Sequence, residues 1–195
     1  MTQPTDFSAL IGSRICHDLI SPIGAINNGL ELLQMSGDVT PSPEMALISE
    51  SVRSASARVR FLRIAFGHAG DQMVSPSEVT SILKDIHEAG RLQVTWIPSE
   101  PETRRHVRMG FLAMMCVENA MPYGGVIDAS ARMIEGRADK FNLAPELWDA
   151  LTGASPLPEL SPAQVQFGLL RQWAEEDGRA IHLAQDANRL TLRFD

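Results

Sequence analysis

The stretch SRICHDLISPIGAINNGLEL, residues 13–32, sets His17 beside Asp18 and puts Pro22 five residues beyond the histidine. A neutral imidazole nitrogen is a good nucleophile near neutral pH, because histidine's reference pKa is about 6.5. Whether this imidazole can react depends on whether it faces water. Ile15, Leu19, Ile23, Ile26, Leu30 and Leu33 recur every three or four residues, an apolar helical stripe. At about 100° per residue, His17 points roughly 160° from the centre of that stripe. Ser21, Gly24, Asn28 and Glu31 share its outer side, a small or polar face that a partner's backbone can approach closely, with Ile20 at its edge as an apolar contact. Pro22 is interior to the helix, where it frees the Asp18 carbonyl and bends the chain. A proline there costs about 3 kcal/mol, which suggests a purpose. Two readings stay open: a histidine presented for chemistry, or a solvated histidine on a kinked helix.

The elements that position it begin with a helical hairpin. Its second helix carries Met45, Ile48, Val52, Ala55, Val59, Leu62 and Phe66 in 3-4 alternation, a coiled-coil seam. Helices of about 35 to 40 Å cannot bury both stripes alone. Pairing two hairpins into a four-helix bundle completes the core, so a homodimer is expected, unless the rest of the chain covers the hairpin instead. GHAGDQMVSPSE, 67–78, reads as a linker, and Ser75, Pro76 and Glu78 form a capping box. The chain is therefore divided into 1–72, the hairpin, and 73–195. The second segment reads as helix 75–90, strand 91–98, helix 104–120, a turn and strand over 124–134, and helix 144–153. A capping box at Ser161, Pro162 and Gln164 opens a further helix, and a two-stranded hairpin closes the chain. The fold class is α+β: an antiparallel hairpin, then an α/β sandwich with helices on one face of a mixed sheet.

Composition narrows the function. The 195 residues are 44% hydrophobic and 21% charged, an ordinary globular mix. A net charge of -7 argues against nucleic-acid binding, which draws on basic patches. No apolar run is long enough to span a bilayer, and MTQPTDF has no signal-peptide character. The two cysteines, Cys16 and Cys116, fit a reduced cytoplasmic protein, with Cys16 as packing rather than thiol chemistry. No Cys or His cluster has metal spacing. His68, His87, His106 and His182 have no partner pattern and read as surface residues.

HDLISP resembles the phosphoacceptor box of sensor histidine kinases, a His followed by an acid and then a Pro. MMCVENAMPYGGVIDASARM, 114–133, is similar to the N-box of the kinase ATP-binding domain with its following turn and strand. QFGLLRQWAEEDGRAIHLAQDANRLTLRF is similar to that domain's last helix and hairpin. The departures are as informative. No G-x-G occurs anywhere, although glycine is what lets a backbone approach phosphate closely. The expected Asp-x-Gly-x-Gly is missing after Ile134, SPAQVQFGLL keeps only Gly168 of the second glycine box, and Met115 stands where the N-box has its first Asn, leaving Asn119. Glu118 and Asn119 are then either a remnant magnesium site or structural leftovers. A phosphoacceptor hairpin joined to a kinase-like domain without its nucleotide site resembles the histidine phosphotransferases of the ChpT type.

That resemblance implies a phosphorelay intermediate in two-component signalling and not an ATP-dependent kinase. The chain would carry phosphate on His17 between the receiver domain of a hybrid kinase and the receiver domains of response regulators. The alternative is a dimeric adaptor or inhibitor that binds regulators without receiving phosphate. Asp18 would set the protonation or orientation of His17. Magnesium would come with the receiver, and no intrinsic cofactor, membrane or nucleic acid is implied. The expected partner-facing residues are Arg14, Ile20, Ser21, Gly24 and Asn28 on the first helix. On the second, Arg58 and Arg63 would lie level with His17 if the hairpin turns near residue 39. A solvated arginine face explains those two equally well.

Overall fold

A computed structural model describes residues 7–36, 43–67, 70–88 and 90–195. Two helices, α1 (Phe7–Ser36) and α2 (Pro43–Ala65), pack side by side, and Pro22 lies inside α1. The turn expected near residue 39 falls outside the described residues. The helices approach closely at Gly29, where an added Cβ would meet Ile48 Cγ1 at 2.5 Å. No helix among the described residues is long and apolar enough to cross a membrane.

The rest of the chain runs β1 (Met73–Val74), α3 (Pro76–His87), β2 (Leu92–Trp96), β3 (Glu102–Thr103), α4 (Arg104–Asn119), β4 (Gly125–Ala129), β5 (Met133–Arg137) and α5 (Pro145–Leu151). A 3-10 turn at Pro162–Gln164 then leads into α6 (Val165–Glu176), β6 (Ile181–Gln185) and β7 (Arg189–Phe194). The order of the main sheet is β2-β4-β5-β7-β6, with β2 and β4 parallel and every other pair antiparallel. β1 and β3 form a separate antiparallel pair.

Local chemistry explains most element ends. Ser75 Oγ accepts from the Glu78 backbone N–H at 3.1 Å, and Pro76 needs no donor in the first turn. Helix α3 ends at His87, short of the expected Gly90. The full capping box forms at Ser161 and Gln164. The single strand expected over 124–134 is instead a hairpin. Ser130 Oγ accepts from the backbone N–H groups of Arg132 and Met133, folding the chain back into β5. Before it, Gly124 and Gly125 take φ of 86° and 141°, a conformation that side-chain-bearing L-residues rarely adopt.

One face of the sheet is apolar and covered by helices, as expected of a two-layer sandwich. Ile127, Ala129, Ile134, Leu190, Leu192 and Phe194 are buried beneath α4 and its neighbours. The opposite face carries Asp128, Glu135, Arg137 and Arg189, with Arg137 bonded to Asp128 and Glu135 at 2.6 and 2.8 Å. The core does not stop at the hairpin. Phe61, Leu62, Ile64 and Ala65 of α2 belong to it, and Phe61 stacks on Phe111 of α4 with centroids 4.4 Å apart. Phe7, Leu10, Ile11 and Ile15 of α1 pack against the same core. The hairpin's base is therefore covered by the rest of the chain, while much of its apolar surface elsewhere is open. Ile23, Leu30, Met45, Val52 and Val59 are each 40 to 50% exposed. The inward turn expected of Ile23 and Leu30, and of three residues of the α2 seam, does not occur within one chain: with a single partner helix, part of each stripe has nothing to bury against.

Candidate functional site

His17 faces out. Its side chain is 84% exposed, while its neighbour Asp18 is 12% exposed. Asp18 lies about 100° further round the helix, toward the protein, so one residue presents to water and the next is half-enclosed behind it. The Asp18 carboxylate serves two partners. Oδ1 lies 3.1 Å from His17 Nδ1, and Oδ2 accepts from Arg14 Nε at 3.0 Å. Arg14 sits one turn before Asp18, the spacing at which opposite charges meet on a helix. Its Nη1 reaches across to donate to the carbonyl of Ala163 at 3.3 Å. Ser161, Pro162 and Ala163 thus border a shallow cleft with Arg14 and His17.

Behind Asp18 lies a cavity of about 230 Å³, lined among others by Arg58, His87, Arg91, Met115 and Glu118. Burial, reinforced by the Arg58 guanidinium, lowers the His87 pKa to about 4, so this imidazole is neutral near neutral pH. Burial also raises the pKa of Glu118, against the pull of Arg14 and Arg58.

The outward set survives in part. Ser21 and Asn28 are exposed, and nothing lies within 4 Å of a Cβ placed on Gly24. The side chain of Ile20 lies outside the described residues. On α2 the two arginines part company. Arg63 is exposed, whereas Arg58 lines the cavity behind Asp18, its Nε buried without a hydrogen-bond partner. Arg14, expected to face a partner, is engaged within the chain by Asp18 and Ala163. Two further expectations need correction. His87 is not a surface residue, because α3 turns it toward the cavity shared with α1 and α2. His106 and His182 do have partners, Glu102 at 3.1 Å and Asp195 at 2.6 Å, although His182 is a surface residue as expected. His68 and the side chain of Cys16 lie outside the described residues, and Cys116 is a buried free thiol. Asn119 is exposed at the end of α4. Among the described residues, no group of three or more His, Cys, Asp or Glu could hold a metal ion. No local sequence signal marks Ala163, Arg91 or Glu118 as neighbours of the phosphoacceptor-like helix, since the Arg14–Ala163 contact spans 149 positions.

Residues 76–189 match the family model of the histidine phosphotransferase C-terminal domain. The chain belongs to the histidine phosphotransferase family. Like this phosphotransferase chain, the protein phosphotransferase ChpT of Brucella abortus (strain 2308) carries both segments: the two are 34% identical over 198 residues, covering 96% of this chain and 94% of that protein. The 1.7 Å structure of a bacterial phosphotransferase superposes with a TM-score of 0.78 at 31% identity, covering 100% of this chain and 98% of that one. The family match over 76–189 lies C-terminal to His17, so the assignment of a histidine phosphotransferase rests on more of the chain than the HDLISP motif.

Proposed function

We propose that His17 is the phosphoacceptor of a phosphorelay, taking a phosphoryl group from one receiver-domain aspartate and passing it to another. The observation that carries this reading is an 84% exposed imidazole whose Nδ1 faces a carboxylate that is itself 12% exposed. With Nδ1–H donated to Asp18, the lone pair sits on Nε2, directed away from the helix. In the forward step Nε2 attacks the phosphorus of an aspartyl phosphate. The N–P bond forms, the P–O bond to the aspartate breaks, and the departing carboxylate keeps the electron pair. The ring, still protonated at Nδ1, gains positive charge, which Asp18 offsets at hydrogen-bond distance. The second transfer reverses these bonds with a different receiver carboxylate. Such transition states are loose, so alignment and charge neutralisation supply most of the catalysis. Magnesium enters with the receiver domain.

The receiver would dock on the face formed by Ile20, Ser21, Gly24 and Asn28, with Arg63 on the second helix, while Arg14 and Arg58 act from behind. The half-exposed Ile23, Leu30, Met45, Val52 and Val59 support pairing with a second hairpin into a four-helix bundle, since a stripe of this size left in water forfeits its burial free energy. In this reading residues 1–72 hold the phosphoacceptor and dimer interface, residues 73–195 a kinase-like domain that has lost its glycine boxes, and the protein works in the cytoplasm.

The test is transfer of radiolabel from a phosphorylated receiver, with labelled ATP alone as control. Label on the wild type and none on His17→Ala is the expected result. Label retained by His17→Ala, or acquired from ATP alone, defeats the proposal. Receiver binding without any label would mark an adaptor instead.

A further inference from the structure

Helix α1 is held to the second segment at two points, by α6 at its first residue and by the 3-10 turn before α6 at Arg14, about one turn short of His17. An added Cβ on Gly168 would meet Phe7 Cε1 at 2.6 Å, so the ring of Phe7 lies directly against the α6 backbone. Seven residues along α1, Arg14 donates to the carbonyl of Ala163. That carbonyl is itself fixed. It belongs to the 3-10 turn that the Ser161–Gln164 capping box holds, and it accepts a second hydrogen bond from Gln166 Nε2 at 2.9 Å. Gln166 is 1% exposed, so the anchor is part of the core.

The other end of Arg14 determines what Asp18 can do. A free aspartate rotates about its side-chain torsions and offers either oxygen to solvent. Here Arg14 Nε occupies Oδ2 and leaves Oδ1 directed at His17 Nδ1. Arg14 is 22% exposed and Asp18 12%, so this ion pair is partly shielded from water while the imidazole it controls is open. A guanidinium suits the task because its fork gives one N–H to the carboxylate and another to the carbonyl at fixed geometry. The remaining charged or titratable groups on this side, Arg58, His87, Arg91 and Glu118, line the cavity beyond Asp18.

We infer that Arg14 is a positioning residue through which the C-terminal domain holds Asp18, and through Asp18 the tautomer and orientation of His17. This gives the kinase-like domain a role in the relay that needs no nucleotide. The inference rests on His17 as the phosphoacceptor, but its first readout does not. In the full-length protein with isotope-labelled histidine, nitrogen chemical shifts report which ring nitrogen of His17 carries the proton. The wild type should show the Nδ1–H form in excess. Arg14→Met, which keeps the apolar stem and removes both donors, should bring the two tautomers toward equal populations. It should also lower the rate of label transfer within the receiver complex by about 10-fold, the lower end of the effect of groups that orient a metal-bound histidine. Receiver affinity should stay unchanged. Arg14→Lys, which restores the charge opposite Asp18, should recover part of both readouts.

A His17 tautomer ratio identical in wild type and Arg14→Met overturns the inference. So does a loss of receiver affinity with the transfer rate inside the complex intact, which would make Arg14 a partner contact. Label retained by His17→Ala defeats the phosphoacceptor reading instead, and leaves the tautomer measurement standing as a separate result.

Discussion

Replacing His87 with glutamine should flatten the acid side of this protein's stability profile. His87 ends α3 and lines the cavity behind Asp18, where burial, reinforced by Arg58, lowers its pKa from 6.5 to about 4. In the unfolded chain the same imidazole titrates at about 6.5. Between those values unfolding takes up a proton, so falling pH favours the unfolded state. Above about 6.5 neither state is protonated and the residue adds no pH dependence, whereas below about 4 both are and the loss is complete. Stability falls by about 1.4 kcal/mol for each pH unit between the folded and unfolded pKa values, so the full loss is about 3 kcal/mol, of which about 2 kcal/mol has gone by about pH 5. Urea unfolding of the wild type and His87→Gln, near pH 7 and at about pH 5, reads this as a difference of differences. Glu118 works in the opposite sense, since its raised pKa gives stability that is present at low pH and lost as pH rises. It is present in both proteins, so the comparison isolates His87. The wild type should lose about 2 kcal/mol more than the variant over that interval. Equal losses would mean that His87 protonates in the folded protein as readily as in water, and that neither burial nor Arg58 disfavours its charge.

Two further outcomes follow from packing. Val59, half-exposed on the α2 seam, should tolerate Glu in a monomer but not at a helix–helix interface; Val59→Glu is therefore expected to shift light-scattering mass from two chains to one with helix content preserved, and an unchanged mass would remove the bundle from the proposal. Gly136→Ala places a Cβ 2.7 Å from Val117 Cγ1 and 2.9 Å from Met121 Sδ under α4; thermal or urea unfolding should show a loss of about 1–3 kcal/mol, the range for overpacking a filled core, and no loss would mean that β5 and α4 can move apart freely.

The outward direction of His17 is legible in the chain because one helix is enough to decide it. The stripe from Ile15 to Leu33 fixes which side of α1 is apolar, and a residue opposite that stripe has nowhere to go but outward. The caps at Ser75 and Ser161 are equally legible, since a side-chain oxygen and a backbone N–H three residues apart complete each bond locally. The hairpin at Ser130 is not, because the run from Gly125 to Arg137 has no Gly or Pro at its turn; a serine hydroxyl makes it instead.

The main helices, the exposed face of α1 and the loss of the glycine boxes are thus written in the amino-acid order, all of them properties of short segments. Tertiary packing settled the rest. It turned Arg58 inward, enclosed His87, and set Arg14 between Asp18 and the carbonyl of Ala163. These outcomes depend on how α2 sinks its last turns into the core and how α6 lies against α1, packing choices made between segments far apart in the chain. Periodicity reports which face of a helix seeks cover; only the folded chain shows what covers it.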